Sequence, residues 1–360
     1  MREKELRLAL ICYGGISLAV YMHGITKEVW RLARASKEWH GGEPPSSGSQ
    51  AVYRRLLEEI SKNSDLKLRV LVDILTGASA GGINAVFLGQ AISTGQSLEP
   101  LTDLWLEQAD VDKLVDPAVS PVSRFAKAAA VPLPWALSAK RGGTVDQTVE
   151  VSHRQEIRAK LANFVRARWF SPPFHGSGFT IMLLDAFDAM RASANGGPLL
   201  PRHQPLDLFV TITDFNGFPE RLRLNSPPEV AETEHRITLS FRDPGGNERR
   251  LADPAELSFA ARATASFPGA FPPFRVKELD EVLAKRGQAW SRRSEFLARV
   301  LPRHVGVGGP ENAVLIDGSV PNNAPFRPAI AALKSRPARR EIDRRFVYID
   351  PTTSACSIRL

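Results

Sequence analysis

The chain has 360 residues, a formal net charge of +8 and a hydrophobic content of 43%. These values exclude a chain that is disordered throughout, because enough apolar side chains are present to build a core. The two cysteines, Cys12 and Cys356, belong to no Cys-x-x-Cys or Cys/His cluster, which argues against a structural zinc site. The basic charge leaves nucleic acid or an anionic membrane surface open as a partner.

The N-terminus begins with basic residues followed by an apolar run, as a signal peptide does. However, Glu3 and Glu5 interrupt the basic part, Gly14 and Gly15 break the run, and no small-residue cleavage site follows. No apolar run reaches the roughly 18 residues of a membrane-spanning helix. We therefore expect a cytoplasmic protein.

The predicted elements alternate between strand and helix over the first ninety residues or so. A short buried strand is predicted over Leu6–Cys12, and helices over about 17–36 and 51–63 follow it. The segment 68–76, "LRVLVDILT", is apolar on both faces, which is typical of a central strand in a parallel sheet. A glycine-rich turn and another helix come next. This alternation predicts a doubly wound α/β domain.

The middle of the chain breaks this pattern, because proline and glycine interrupt its helical periodicity. Strand patterns resume at 207–217 and 234–243, and further on a strand ends at Asp317 and Gly318. We predict one domain over 1–360, a three-layer α/β/α fold with a mostly parallel sheet. Its core would cover about 5–92 and 206–350, and a helical and loop insertion would cover about 93–205.

One short stretch carries the strongest chemical signal. Gly77-Ala78-Ser79-Ala80-Gly81 fits Gly-x-Ser-x-Gly, the nucleophile elbow, and lies between an apolar strand and an apolar helix as that motif requires. In a sharp strand-to-helix turn the neighbours of the serine come so close together that side chains would clash. The glycines at 77 and 81 meet that need. The N-terminal dipole of the following helix would favour negative charge developing near Ser79.

Two phosphate-binding motifs compete for glycine-rich turns, and both fail here. A P-loop needs Gly-x-x-x-x-Gly-Lys followed by Ser or Thr, but no lysine follows Gly81 or Gly82. A dinucleotide fingerprint needs Gly-x-Gly-x-x-Gly after the first strand, and "CYGGIS" lacks it.

A serine nucleophile also needs a base and an oxyanion hole. Asp317 ends an apolar strand, and strand C-termini in a parallel sheet share one crevice, so Asp317 and Ser79 could meet. Gly14 and Gly15 follow the first strand at the same edge, where their amides could face a substrate oxygen. Since no histidine follows Asp317, the order of an α/β-hydrolase triad is excluded for that acid, but a triad of His304 with an earlier acid stays open.

The chain resembles the patatin-like phospholipases, lipid acyl hydrolases with a Ser-Asp dyad, in three sequence blocks that occur in the same order as in that family. In chain order they are "CYGGISLAVYMHG", "GASAGGINA" and "DGSVPNNAP". A further segment, "ARATASFPGAFPP", resembles the part of the family between the two dyad residues. The resemblance implies Ser79 as nucleophile, Asp317 as base with Gly318 completing an Asp-Gly motif, and an oxyanion loop carried by Gly14, Gly15 and Ile16.

The N-terminal loop departs from the family pattern, because Tyr13, Ser17 and Leu18 replace a glycine, a basic residue and a second glycine. The resemblance implies a phospholipase A type esterase that acts on phospholipid or other lipid esters. It implies no metal or organic cofactor, peripheral contact with an anionic membrane and no nucleic-acid partner. The alternative is a non-catalytic lipid-binding or interaction module that retains the fold.

Two further expectations concern parts of the chain outside the core blocks. Trp135 lies near Lys140 and Arg141, a combination that suits a lipid headgroup interface, and we hypothesise a lid or docking patch there; packing of Trp135 within the insertion is the alternative. Bacterial relatives of this kind often continue beyond the last strand, so we also expect a C-terminal region that this sequence lacks.

Overall fold

A six-stranded mixed sheet organises the structure, a computed structural model. The model describes residues 2–15, 19–44, 46–107, 174–193, 196–223, 225–226, 229–306, 308–338 and 340–350. The strands are β1 (Arg2–Cys12), β2 (Leu66–Gly77), β3 (Leu206–Arg223), β4 (Glu229–Asp243), β5 (Leu315–Asp317) and β6 (Glu341–Ile349). Their order is β4-β3-β2-β1-β6, with β5 paired to β3. The pairs β1–β2, β1–β6 and β2–β3 are parallel, and β4 and β5 run antiparallel to β3.

Ten α-helices lie among the described residues. They are α1 (Ala19–Gly41), α2 (Gly48–Ser64), α3 (Ser79–Thr94), α4 (Pro100–Glu107), α5 (Gly176–Ala192), α6 (Pro254–Thr264), α7 (Val276–Lys285), α8 (Arg293–Val300), α9 (Pro302–Val305) and α10 (Phe326–Ala332). Helices on both faces of the sheet give the predicted three-layer α/β/α fold. The family-level fold expectation is therefore confirmed.

Helix α3 occupies the centre of the larger core. Every residue from Ser79 to Ser93 is buried, and the helix is apolar all round, as expected for a helix enclosed by other elements. The main apolar cluster includes Leu10 of β1, Leu75 of β2 and Phe87 of α3. On the opposite face, a much smaller cluster joins Ala9 and Ile74 to two alanines of α10. The sheet is thus covered heavily on one side and lightly on the other.

Part of the predicted insertion contributes to the main core. Helix α5 buries Phe179, Leu183, Phe187 and Met190 in the same cluster as α3 and α6. Residues 108–173 lie outside the described residues, and Trp135 with them. The insertion boundaries therefore stay a prediction, as does the lid or docking patch.

Asp317 ends a strand, as the sequence predicted, but the expectation that this strand runs parallel to its neighbour was wrong. Strand β5 is only three residues long and runs antiparallel to β3. Strand β4 covers one edge of β3, so β2 and β5 share the other edge, where Gly77 pairs with Val210 and Asp317 pairs with Ile212. The C-terminal ends of β2 and β5 thus approach each other head-on, two register positions apart.

Candidate active site

Ser79 lies in a strained turn between β2 and α3. Its φ is +51°, a left-handed value that is uncommon for a residue with a side chain. The serine is nearly buried, at 6% exposure. Its amide donates to Thr264 Oγ1 at 2.8 Å, and that hydroxyl in turn donates to the Thr211 carbonyl at 2.7 Å. A short chain of hydrogen bonds therefore holds the strained backbone in place.

The glycines of the elbow are needed because backbone comes too close for any side chain. A Cβ at Gly77 would lie 2.6 Å from the Gly81 carbonyl oxygen. A Cβ at Gly81 would lie 2.3 Å from the carbonyl oxygens of both Cys12 and Tyr13. This close approach sets the first turn of α3 directly against the end of β1. The Gly-x-Ser-x-Gly spacing is thus explained by contacts within the described structure.

Ser79 and Asp317 meet directly. The Ser79 hydroxyl donates to Asp317 Oδ2 at 2.6 Å, although the residues are 238 positions apart in the chain. Asp317 is fully buried, and its Oδ1 accepts the Ser319 amide at 2.7 Å. Burial raises the pKa of Asp317 above its ordinary value, and the hydrogen bonds from Ser79 and Ser319 oppose part of that rise. Asp317 is therefore a more basic carboxyl group than one in water, in direct contact with a hydroxyl group.

The backbone around Asp317 is fixed on several sides. Its amide donates to the Ser266 carbonyl at 3.1 Å, and its carbonyl accepts the Thr213 hydroxyl at 2.8 Å. A Cβ on Gly318 would lie only 1.9 Å from the Thr211 carbonyl oxygen, so glycine is the residue that this approach admits. The Asp-Gly pair therefore places the Asp317 carboxyl group against Ser79, while the backbone at Gly318 passes close to that of β3.

The predicted oxyanion loop consists of Gly14, Gly15 and Ile16. These residues differ in their surroundings. Gly14 lies directly against Ser79, since a Cβ there would lie 2.8 Å from Ser79 Cβ. Its amide, however, donates to Asn323 Oδ1 at 2.7 Å. Gly15 is half-buried, and Ile16 lies outside the described residues. The first glycine of this loop thus lies beside Ser79, with its amide already engaged by Asn323.

His304 pairs with a different acid. Its Nε2 lies 2.8 Å from Asp214 Oδ2, and both side chains are buried. The ring also packs edge-on against Phe218, with 4.7 Å between ring centroids. The acid that hydrogen-bonds Ser79 is Asp317, so the open alternative of a triad with His304 lacks the contact that it requires.

Thr264, Ser319 and Asn323 were missed as site residues by sequence reasoning. All three lie in blocks that the sequence marked, "ARATASFPGAFPP" and "DGSVPNNAP", but no spacing rule connects their side chains to positions 79 or 14. Their roles depend on long-range contacts that only the folded chain shows.

Metal binding has no evident place in the described part of the chain. No group of three or more His, Cys, Asp or Glu side chains there could hold a metal ion. Among the same residues, no helix combines the length and the apolar character needed to cross a membrane.

Comparison with known proteins agrees with the geometry. The patatin-like phospholipase family matches residues 14–330, most of the chain. A relative from Mycobacterium tuberculosis (strain ATCC 25618 / H37Rv), named uncharacterized membrane protein Rv3479, is 28% identical over 366 aligned positions, which cover 97% of this chain. This chain spans only 28% of that relative's length. The chain belongs to the patatin-like phospholipase family, and this membership supports lipid hydrolysis and a lipid substrate at the family level.

Proposed function

We propose that this protein is a serine-dependent lipid acyl hydrolase of the phospholipase A or esterase type, with Ser79 as nucleophile and Asp317 as its base. The observation that carries the proposal is the 2.6 Å hydrogen bond from the Ser79 hydroxyl to Asp317 Oδ2 in a buried site. A nucleophile within hydrogen-bond reach of a base is the arrangement that covalent catalysis requires.

The first half of the reaction forms an acyl-enzyme. Asp317 takes the hydroxyl proton as Ser79 Oγ attacks the ester carbonyl carbon, giving a tetrahedral oxyanion. When this intermediate collapses, the bond to the alcohol oxygen breaks and protonated Asp317 returns the proton to the leaving alcohol. The raised pKa of Asp317 favours the first of these proton transfers, because a more basic carboxylate is a stronger acceptor for the serine proton.

The oxyanion requires hydrogen-bond donors near Ser79. The first amides of a helix have no carbonyl partner within that helix. In α3 the Ser79 amide is bound by Thr264, which leaves the amides of Ala80 and Gly81 at the positive end of the helix dipole. Together with the Gly15 amide, they supply the donors that developing negative charge needs.

The second half of the reaction releases the fatty acid. Water attacks the acyl-enzyme carbonyl while Asp317 takes one of its protons. Collapse of this second tetrahedral intermediate breaks the bond to Ser79 Oγ, and Asp317 returns the proton to that oxygen. The net change is ester plus water giving carboxylic acid plus alcohol, with the enzyme restored.

Activity on a panel of phospholipids and short-chain esters tests this proposal. Wild-type protein should release free fatty acid, and Ser79→Ala should release none while binding the same lipids. Equal release by the two proteins would contradict the mechanism. Lipid binding without release by the wild type would favour a non-catalytic lipid-binding module.

A further inference from the structure

Asn323 accepts a hydrogen bond from the N-terminal glycine loop. An amide N–H can only donate, so the Asn323 atom 2.7 Å from the Gly14 nitrogen must be the side-chain carbonyl oxygen. A bond of that length commits the Gly14 N–H to Asn323. The same N–H is then not the free donor that an oxyanion hole needs.

Gly14 also lies against three side chains of the site, in the direction where a Cβ would stand. A Cβ there would lie 2.7 Å from Asn323 Oδ1, 2.8 Å from Ser79 Cβ and 3.0 Å from Ser319 Cβ. Asn323 and Ser319 belong to the segment that begins at Asp317, so one short stretch of chain contacts both the nucleophile and the loop. Pro325, buried at the start of α10, anchors the far end of this stretch.

We propose that Asn323 is a positioning residue that holds the glycine loop by its Gly14 amide and so aims the next amide, that of Gly15, at the substrate oxyanion. The Gly14 N–H belongs to the peptide unit before Gly14, and the Gly15 N–H belongs to the unit after it. Once the hydrogen bond to Asn323 holds the first unit, only the φ and ψ of Gly14 set the direction of the Gly15 N–H. This assignment removes Gly14 from the predicted donors Gly14, Gly15 and Ile16. It rests on the proposed hydrolase function.

The kinetic test compares Asn323→Ala with Asn322→Ala on a water-soluble ester. Asn322 is the adjacent asparagine, and its side chain has no role in the mechanism proposed above. Losing one well-aimed oxyanion donor should lower kcat by about 10- to 100-fold, with KM changed less than about twofold. Asn322→Ala should match the wild type. Turnover of Asn323→Ala equal to that of the wild type would overturn the proposal. Faster turnover would overturn it as well, because Asn323 would then be competing with the oxyanion for the Gly14 N–H.

The variant Asn323→Asp should give a pH dependence of turnover that a purely structural role of Asn323 would not produce. The aspartate keeps an acceptor for Gly14 but places a negative charge beside the oxyanion once it ionises. Its turnover relative to wild type should therefore fall as pH rises through the pKa of the new carboxyl group. A ratio that is flat with pH would count against the assignment.

Hydrogen exchange at the Gly14 amide tests the contact without any need for turnover. Asn323→Ala should speed exchange at Gly14 by about tenfold relative to Asn322→Ala, because opening no longer breaks that bond. Unchanged exchange would overturn the positioning role even in an active enzyme. An inactive wild-type protein with accelerated exchange in Asn323→Ala would instead contradict the hydrolase function and leave the loop contact standing.

Discussion

At the scale of single residues, the site combines two features that each lower the stability of the folded protein. Ser79 adopts a left-handed backbone conformation, and Asp317 is a fully buried carboxyl group whose pKa is raised by that burial. Each feature is unfavourable by itself and is held by surrounding hydrogen bonds. Such concentrated strain and perturbed ionisation are typical of functional sites.

Asp317→Asn should abolish ester turnover yet raise the thermal unfolding midpoint at neutral pH. The amide fills the same space but cannot take the serine proton. Because the folded-state pKa of Asp317 is raised, the stability contributed by this group is present below the unfolded pKa and is lost as pH rises through the folded pKa. The variant's advantage should therefore shrink as pH is lowered, which thermal melts over a pH series would show.

The same ionisation sets the acid limb of activity. Wild-type kcat/KM should fall as pH drops through the raised pKa of Asp317, since the protonated base cannot activate Ser79. Wild-type kcat/KM that stays constant over the pH range in which Asp317 changes the stability of the folded protein would contradict the assignment of that limb to Asp317.

His304→Ala should lower stability without removing turnover from the folded enzyme. The substitution leaves the buried Asp214 Oδ2 without its 2.8 Å partner, at a cost of about 1–3 kcal/mol. Turnover per folded molecule should stay within about threefold of wild type, because Asp317 rather than His304 contacts Ser79, the proposed nucleophile. Urea unfolding and active-site titration would separate the two effects. A stable but inactive variant would restore the histidine triad.

At the scale of elements, the strands and helices followed from the sequence better than their arrangement did. The apolar runs at β1 and β2 and the elbow between β2 and α3 were predictable, because their local pattern and their buried environment agree. The direction of β5 was not, since three residues carry no signal of strand polarity. The meeting of Ser79 with Asp317 was anticipated, but through a parallel sheet rather than through two strands that meet end to end along β3.

The hydrogen bonds that support the site were beyond sequence reasoning for a related reason. Thr264 and Asn323 act on residues 185 and 309 positions away. Nothing in their local sequence distinguishes these polar side chains from ordinary turn or helix-end residues.

Gly318→Ala should disrupt the junction of β3 and β5. Its Cβ would lie 1.9 Å from the Thr211 carbonyl oxygen, a backbone atom that cannot move aside cheaply. We expect loss of about 3 kcal/mol or more, or failure to fold, together with loss of activity. Gly24→Ala is the matched control, because that helical glycine is exposed with open space around it and alanine favours helix by about 1 kcal/mol. Similar melting curves for Gly318→Ala and wild type would refute the steric argument.

At the scale of the whole molecule, surface charge bears on how a lipid substrate is reached. The net charge of +8 favours an anionic lipid surface over a neutral one, although it names no docking residues. From this charge alone we propose electrostatic contact with anionic membrane surfaces.

Vesicle sedimentation tests that contact. Binding to vesicles containing phosphatidylglycerol should exceed binding to phosphatidylcholine vesicles and should weaken as salt rises from about 0.05 to 0.5 M, because exposed charges are screened. Ser79→Ala should bind equally well. Binding that ignores both lipid charge and salt would exclude an electrostatic mode.

The most direct test of the central claim is covalent labelling with a fluorophosphonate, followed by peptide mapping. A fluorophosphonate reacts with an activated serine and not with an idle one. We predict stoichiometric label on Ser79 in the wild type, none in Ser79→Ala, and strongly slowed labelling in Asp317→Asn. Absence of label on the folded wild-type protein, or label at another serine that survives Ser79→Ala, would contradict the assignment of Ser79 as nucleophile.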